Sequence, residues 1–231
     1  MTLTFTQRKF RLKLFMSKKV KPQKRALGGQ KMNVPNILTI LRVLLVPTFV
    51  SVMIYVDNPI VCGLVAAALF AVTSLTDMLD GKIARKYNLV TTFGKVMDPL
   101  ADKFMVFMAM ISLTIKLFLV ANTTNDKVLA NVTLWVSAVV IFRELGVTSI
   151  RLVASNAGAG VIPANFFGKA KTVTQIIAIL VVLIELAVNK GWGVQTLWIA
   201  SYFSLALMTF MTVGSGVNYL KGYWKYMKDS K

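Results

Sequence analysis

Four aspartates within a short stretch of the chain carry its strongest chemical signal. Asp77 and Asp80 are three residues apart, and Asp98 and Asp102 are four residues apart. On a helix, either spacing places both carboxylates on one face, with Cβ atoms about 5–6 Å apart. Carboxylate oxygens are ligands that Mg²⁺ and Mn²⁺ prefer. Two facing pairs therefore predict a site for two such ions about 3.5–4 Å apart, an arrangement that serves phosphoryl displacement.

The apolar setting of these aspartates also favours a bound cation. The residues around them are apolar enough to lie in a bilayer, where each uncompensated aspartate costs roughly 2.5–3.5 kcal/mol and four would cost on the order of 10–14 kcal/mol. That is comparable with the whole stability of a typical domain, about 5–15 kcal/mol. In the alternative, one pair caps a helix and the other balances nearby lysines. Capping or charge balance explains one aspartate pair taken alone. It does not explain why both pairs occur together with Gly81, Arg85 and Gly94.

The composition narrows the class of protein. With no histidine and a single cysteine, the chain excludes histidine-based triads, His or Cys zinc sites and an internal disulfide. Hydrophobic residues make up 56% of the 231 residues and charged residues 16%, whereas soluble domains average about 25% charged residues. We therefore expect an all-α polytopic membrane protein whose chemistry depends on carboxylates, lysine, arginine and metal.

Six apolar stretches approach the ~20 residues that span a bilayer. Asp57-Asn58-Pro59 predicts the break after the first, residues 122–126 the break before the fourth, and residues 189–193 the break between the last two. Asp98 before Pro99 predicts a helix start at the second aspartate pair. We place the six spans at 37–56, 60–82, 97–120, 129–154, 170–189 and 195–219.

The basic residues predict the orientation of these spans. Of the 27 Lys and Arg residues, all but Lys116, Lys127 and Lys190 fall on one side of the arrangement. The positive-inside rule makes that side cytoplasmic, with both termini and the aspartate motif. A net charge of +18 would also suit nucleic acid, but this distribution favours membrane lipids as partners and no nucleic acid.

Residues 1–31 are set apart from residues 32–231, which we interpret as a single transmembrane domain. Ten Lys and Arg lie between residues 8 and 31, with aromatic and aliphatic residues interleaved. This pattern predicts a basic arm on anionic lipid headgroups. A disordered segment, with Met32 as the true start, is the equal alternative.

The aspartate motif resembles a known family signature. Asp77-x-x-Asp80-Gly81-x-x-Ala84-Arg85, followed after eight residues by Gly94-x-x-x-Asp98-x-x-x-Asp102, is similar at every motif position to that of the CDP-alcohol phosphatidyltransferases. The resemblance extends from about residue 33 to the C-terminus. It implies six transmembrane helices, a cavity open to the cytoplasm and a homodimer. It also implies transfer of a phosphatidyl group from a CDP-linked lipid to an alcohol, with release of CMP.

The resemblance also implies roles for individual residues. Asp77, Asp80 and Asp98 would be metal ligands, and Asp102 would be the general base and contact the second of two Mg²⁺ or Mn²⁺ ions. The cytidine diphosphate pocket would include Asp77, Gly81, Ala84, Arg85 and Thr91.

The start of the first span adds to this pocket. Asn36, Thr39 and Arg42 fall at i, i+3 and i+6, broadly on one helical face. They are similar to the Asn-x-x-Thr-x-x-Arg start of the bacterial phosphatidylglycerophosphate synthase branch, and we predict that they bind the CDP-lipid. The ordinary alternative is a capping Asn36 and a snorkelling Arg42.

Four cations predict the acceptor. Arg143 and Arg151 lie eight residues apart on one face of an apolar segment, and Lys169 and Lys171 open the fifth span. Converging cations suit an acceptor that carries phosphate. The stretch with the two arginines and the stretch with the two lysines both resemble those of the bacterial phosphatidylglycerophosphate synthase branch, whose acceptor is sn-glycerol 3-phosphate. We expect Glu144 to pair with a nearby arginine. The alternative, positive-inside flanking charge, explains the two lysines well, but it explains Arg143, which lies within an apolar run, less well.

The resulting prediction is transfer from CDP-diacylglycerol to glycerol 3-phosphate in a bacterial plasma membrane. Within the family, inositol, inositol phosphate, serine or a second phosphatidyl lipid such as phosphatidylglycerol are alternative acceptors. Outside it, intramembrane prenyltransferases need two separate Asp-rich motifs and more spans. A cation carrier would leave the Gly-x-x-Ala-Arg elements without a purpose.

Overall fold

Six α-helices make up the described part of the chain. The structure, a computed structural model, describes the backbone of residues 34–86, 92–156, 166–194 and 196–229, and the side chains of residues 40–77, 103–151, 170–194 and 196–222. The helices are α1 (Val34–Tyr55), α2 (Pro59–Lys86), α3 (Thr92–Leu119), α4 (Thr124–Asn156), α5 (Phe166–Leu186) and α6 (Ile199–Asp229). A π-helical turn, Ala187–Gly191, continues α5.

These helices confirm the all-α prediction and form a polytopic membrane protein. Among the described residues, four segments are long and apolar enough to cross a membrane: Pro59–Asp77, Thr124–Arg151, Ala170–Gly191 and Ile199–Gly222. The apolar segment Ile40–Tyr55 of α1 is shorter. Large apolar side chains face outward, among them Phe142 at 81% and Phe203 at 72% exposure, as expected where lipid replaces water around the protein.

The helices pack as a closed ring. Following the contacts around it, α1 packs on α2, α2 on α5, α5 on α6, α6 on α4, α4 on α3 and α3 on α1. α3 and α5 also touch across the middle. The buried core includes Phe49, Met53, Phe70, Met110 and Leu113. Polar side chains that point inward therefore meet inside this ring.

Local sequence explains where α1 ends and α2 begins. Asn58 Oδ1 accepts hydrogen bonds from the backbone N–H of Ile60 (2.9 Å) and Val61 (3.3 Å), the role of an N-cap, and Pro59 occupies the first helical position. The buried Lys116 of α3 donates from Nζ to the Val56 carbonyl oxygen at 2.7 Å. A cation there complements the C-terminal end of α1.

Close helix contact explains one glycine. A Cβ added at Gly63 of α2 would lie 2.6 Å from the Leu183 carbonyl oxygen of α5. Real Cβ atoms essentially never come that near a backbone atom, and the backbone of α5 cannot easily move away. Glycine at position 63 therefore allows α2 and α5 to approach closely.

Three predicted boundaries are wrong in detail. α4 begins at Thr124 because Thr123 and Asp126 form a reciprocal capping box, each side chain accepting from the other's backbone N–H. The last break lies at residues 192–198, since the π-helical turn runs to Gly191. α3 begins at Thr92 rather than at the second aspartate pair. Pro99 therefore lies in the interior of α3, where proline removes one backbone hydrogen bond and is normally unfavourable.

Candidate functional site

The packing of α1 on α2 brings Arg42 to Asp77. Arg42 is 2% exposed, and its Nη1 lies 2.5 Å from Asp77 Oδ1. A buried guanidinium in contact with a carboxylate offsets the desolvation of both groups. The contact places a residue predicted to bind the CDP-lipid directly on a predicted metal ligand.

A small pocket of about 20 Å³ opens beside this ion pair, inside the ring of helices. The Asp77 side chain is 38% exposed, so its carboxylate is accessible. The polar lining comes from three helices: Arg42 of α1, then Thr73, Ser74 and Asp77 of α2, and Thr172 of α5.

Asp77 is the predicted metal ligand whose side chain the structure describes. Its carboxylate offers a hard oxygen at the pocket, a type of ligand that suits Mg²⁺ or Mn²⁺. Among the side chains that the structure describes, no three potential ligands form a cluster. Ten of the predicted site residues lie outside the described side chains: Asn36, Thr39, Asp80, Gly81, Ala84, Arg85, Thr91, Asp98, Asp102 and Lys169. For Thr91 the backbone lies outside the described part as well.

A second polar cluster forms around Glu144 of α4. Its Oε1 accepts from Arg143 Nη1 at 2.8 Å and also from Lys171 Nζ of α5. The expected pairing of Glu144 with an arginine is therefore present, and two of the four predicted acceptor cations converge at one carboxylate oxygen. Glu144 is buried and the Arg143 side chain is 10% exposed. An anion entering here would meet two positively charged groups in a poorly solvated setting.

α5 connects the two clusters. Lys171 contacts Glu144, whereas the next residue, Thr172, lines the pocket beside Asp77. Successive residues on a helix point about 100° apart, so one turn of α5 serves both. The arrangement suits a reaction between two phosphate-bearing groups, one held near Asp77 and the other near Arg143.

Two further residues that were not predicted, Lys103 and Ser215, contact residues of this cluster or of its helix. Lys103 of α3 donates from Nζ to Thr148 Oγ1, one turn beyond Glu144 on α4. Ser215 of α6 accepts from Arg143 Nη2 at 2.6 Å. The position of Lys103 next to Asp102 was a signal for the first. Gly214-Ser215-Gly216, a run of small residues in a long apolar helix, was a weaker signal for the second.

Arg151 makes a different set of contacts. Its Nε donates to Tyr219 Oη at 3.0 Å, and its guanidinium carbon lies 5.3 Å from the centre of the Tyr219 ring. The residue is exposed, unlike Arg143. No contact between Arg151 and Glu144 is described, so Arg151 belongs to a separate pair between α4 and α6.

Known proteins resemble this chain over most of its length. It is 38% identical over 213 residues to a CDP-diacylglycerol–glycerol-3-phosphate 3-phosphatidyltransferase of Bacillus subtilis, covering 86% of this chain and 98% of the relative. It is 35% identical over 189 residues to a probable phosphatidylglycerophosphate synthase of Mycobacterium tuberculosis, covering 81% and 80%. A Rickettsia felis protein with the same name as the first is 34% identical over 194 residues, covering 84% and 97%.

A family profile matches as well. The profile described as CDP-alcohol phosphatidyltransferase covers residues 32–212, which include Arg42, the whole aspartate motif, the Glu144 cluster and Lys171. The profile match and the similar relatives both point to the family that the aspartate motif resembles. The chain belongs to the CDP-alcohol phosphatidyltransferase family.

Proposed function

We propose that the chain transfers the phosphatidyl group of CDP-diacylglycerol to sn-glycerol 3-phosphate, giving phosphatidylglycerophosphate and CMP. The names of the relatives support both substrates. One observation in the structure carries the choice of a phosphorylated acceptor. Arg143 and Lys171 both contact Glu144, and Thr172, the residue after Lys171, lines the pocket beside Asp77.

The aspartates supply the predicted chemistry of transfer. Asp77, Asp80, Asp98 and Asp102 would hold two Mg²⁺ or Mn²⁺ ions, which when bound would polarise the diphosphate and stabilise the leaving CMP. Arg42 orients Asp77 through their ion pair. Together with Asn36, Thr39, Gly81, Ala84, Arg85 and Thr91, it would bind the cytidine diphosphate.

The acceptor is activated on the other side of the site. Arg143 and Lys171, together with Lys169, would bind its phosphate and direct its 1-hydroxyl toward the CDP-lipid, whereas Arg151, which contacts Tyr219, would lie outside these phosphate contacts. Asp102 accepts the proton of that hydroxyl. The hydroxyl oxygen forms a bond to the phosphorus that bears diacylglycerol, while the bond from that phosphorus to the CMP oxygen breaks.

The topology supports access from the cytoplasm. We propose that all six helices cross a bacterial plasma membrane with both termini and the cavity on the cytoplasmic side, because nearly all Lys and Arg fall on that side. Reporter fusions at the two termini and at the loop between α1 and α2 would test this orientation. We also propose a homodimer, as the family resemblance implies, which the mass of the purified protein would test.

An acceptor panel tests the proposed function. Purified protein is given labelled CDP-diacylglycerol and Mg²⁺ with glycerol 3-phosphate, inositol, inositol phosphate, serine or phosphatidylglycerol. We expect CMP release and a labelled phosphatidylglycerophosphate with glycerol 3-phosphate alone. Preference for an acceptor without phosphate would contradict the role given to Arg143 and Lys171, and preference for inositol phosphate would change only the acceptor.

A further inference from the structure

The Arg143 side chain is fixed by a residue of the neighbouring helix α6 as well as by one of its own helix, α4. On its own helix, Nη1 donates to Glu144 at 2.8 Å, and from α6 the Ser215 hydroxyl accepts from Nη2 at 2.6 Å. Ser215 is 4% exposed, so water competes little for this contact. Both terminal nitrogens of the guanidinium therefore have fixed partners on two different helices.

The next residue on α6 makes room for the same side chain. A Cβ added at Gly216 would lie 3.3 Å from Arg143 Cγ and 3.6 Å from Arg143 Nε. The stem of Arg143 thus runs along the backbone of α6 at Gly216 and ends at Ser215. At Gly214, by contrast, an added Cβ would meet nothing within 4 Å.

The third guanidinium nitrogen of Arg143, Nε, is buried and has no hydrogen-bond partner in the described part of the chain. Buried donors are nearly always paired, and a guanidinium fork is shaped to bind a phosphate through two nitrogens. A Cβ at position 216 would press on Arg143 Cγ at 3.3 Å and come into van der Waals contact with Nε at 3.6 Å, so it would displace the part of the side chain that carries Nε.

We propose that Ser215 and Gly216 are positioning residues for the acceptor: Ser215 fixes the Arg143 guanidinium, and Gly216 leaves its Nε free to bind the acceptor phosphate. The inference rests on the proposed function, and it assigns a role to a stretch of α6 beyond the residues that the family profile matches. Ser215 and Gly216 act through Arg143, so they affect acceptor affinity rather than the chemical step.

The two glycines offer a matched pair of variants. G214A and G216A make the same change two residues apart in one helix, and alanine favours the helix equally in both. We expect G216A to raise the KM for glycerol 3-phosphate at least about threefold, because small displacements of a positioning group weaken binding steeply. G214A, which crowds nothing, keeps the wild-type KM.

Ser215 provides an independent variant. S215A removes a hydrogen bond to a charged group and should raise the same KM about tenfold. S215T retains the hydroxyl and should restore most of the affinity. For S215A and G216A, the KM for CDP-diacylglycerol and the kcat should stay near wild type, since a purely structural role would lower the kcat together with the thermal midpoint.

Three outcomes separate the hypotheses. Equal KM values for G214A and G216A, together with an unchanged value for S215A, would overturn this inference while the proposed function stands. If the variants lowered the thermal midpoint and the kcat together, with no selective rise in the KM for glycerol 3-phosphate, Ser215 and Gly216 would have only a packing role. A wild-type enzyme inactive with glycerol 3-phosphate would overturn the proposed function, and the same variants would then be measured with whichever phosphorylated acceptor the panel identifies.

Discussion

Arg42 Nη1 lies 2.5 Å from Asp77 Oδ1, across the contact between α1 and α2. The two residues come from different motifs, one at the start of the first helix and one at the first aspartate of the family signature. Because Arg42 is 2% exposed, its charge is poorly solvated and it depends on Asp77 for compensation. The pair therefore couples the orientation of a predicted metal ligand to a residue predicted to contact the diphosphate.

The first prediction concerns this coupling. R42Q should lower kcat/KM for CDP-diacylglycerol about 100-fold, because it removes a charge from the diphosphate and leaves Asp77 without its fixed partner. R42K should recover only part of the activity, since lysine lacks the planar fork. CMP release at varied CDP-diacylglycerol measures both effects.

A control for R42Q lies on the same helix. Within the part of the chain that the structure describes, the Thr48 hydroxyl donates to the Leu44 carbonyl oxygen of its own helix, at 3.1 Å on an exposed face. T48A should leave kcat/KM unchanged. If R42Q retained near-normal kcat/KM, the ion pair would be no more than a structural contact between α1 and α2.

The second prediction concerns removal of metal. A chelator should abolish CMP release, and Mg²⁺ or Mn²⁺ should restore it, because four carboxylates in an apolar region require positive charge. D77N should raise the metal concentration needed for half-maximal activity about tenfold or more, since it replaces a charged ligand by a neutral one. Full activity in the chelated enzyme, verified as metal-free by elemental measurement, would contradict the predicted metal site.

The helix positions were predictable because a bilayer allows few alternatives. Backbone groups in lipid must be satisfied within the segment, so an apolar stretch of sufficient length becomes a helix. The Asp57-Asn58-Pro59 break predicted the junction of α1 and α2, where Asn58 acts as N-cap. The capping box at Thr123 and Asp126 was equally visible in sequence, but its two polar residues were interpreted as part of a loop.

The partners of the polar residues were less predictable because they depend on which helices pack together. Lys116 was expected as a flanking charge on the outer side, yet it is buried and binds the end of α1. Lys103 counted only as one of many cytoplasmic charges, although it reaches Thr148. Neither contact has a local signature, since each joins residues at least 45 positions apart. By contrast, Glu144 and Arg143 are neighbours in sequence, and their pairing was predicted.

The third prediction separates stability from acceptor binding in the Glu144 cluster. E144Q leaves Arg143 and Lys171 close together without a carboxylate, and removing one partner of a buried pair costs roughly 3–5 kcal/mol. We expect a lower thermal midpoint and a higher KM for glycerol 3-phosphate. In E144Q/K171M the like-charge repulsion is gone, so the thermal midpoint should recover in part.

The same double variant also tests the role of Lys171. If Lys171 binds the acceptor phosphate, the KM for glycerol 3-phosphate should stay high in E144Q/K171M even though stability recovers. A double variant that regains both stability and acceptor affinity would show that the cluster only holds α4 and α5 together.

The fourth prediction concerns Asp126, at the other end of α4. Its Oδ2 accepts from Lys190 Nζ at 2.5 Å and from the Thr123 backbone N–H at 2.8 Å, while Oδ1 accepts from Trp198 Nε1 at 2.9 Å. These contacts tie the start of α4 to the turn between α5 and α6. Asp126 is 18 residues before Glu144, roughly 27 Å along the helix.

Because of this distance, substitutions of the two acidic residues of α4 should both lower stability but differ in their effect on KM. D126N should destabilise the protein by about 3 kcal/mol, because it removes a buried carboxylate and leaves the largely buried ammonium group of Lys190, 14% exposed, without it, and the thermal midpoint should fall. The KM values of the folded enzyme should remain those of the wild type, in contrast to E144Q. The control is N131A, which should change neither quantity, because the Asn131 side chain lies on an exposed face and, among the described residues, donates to the Lys127 carbonyl oxygen of its own helix. A selective rise in the KM for either substrate in D126N would mean that the two ends of α4 are coupled, so that the Glu144 cluster could not be treated as an independent site.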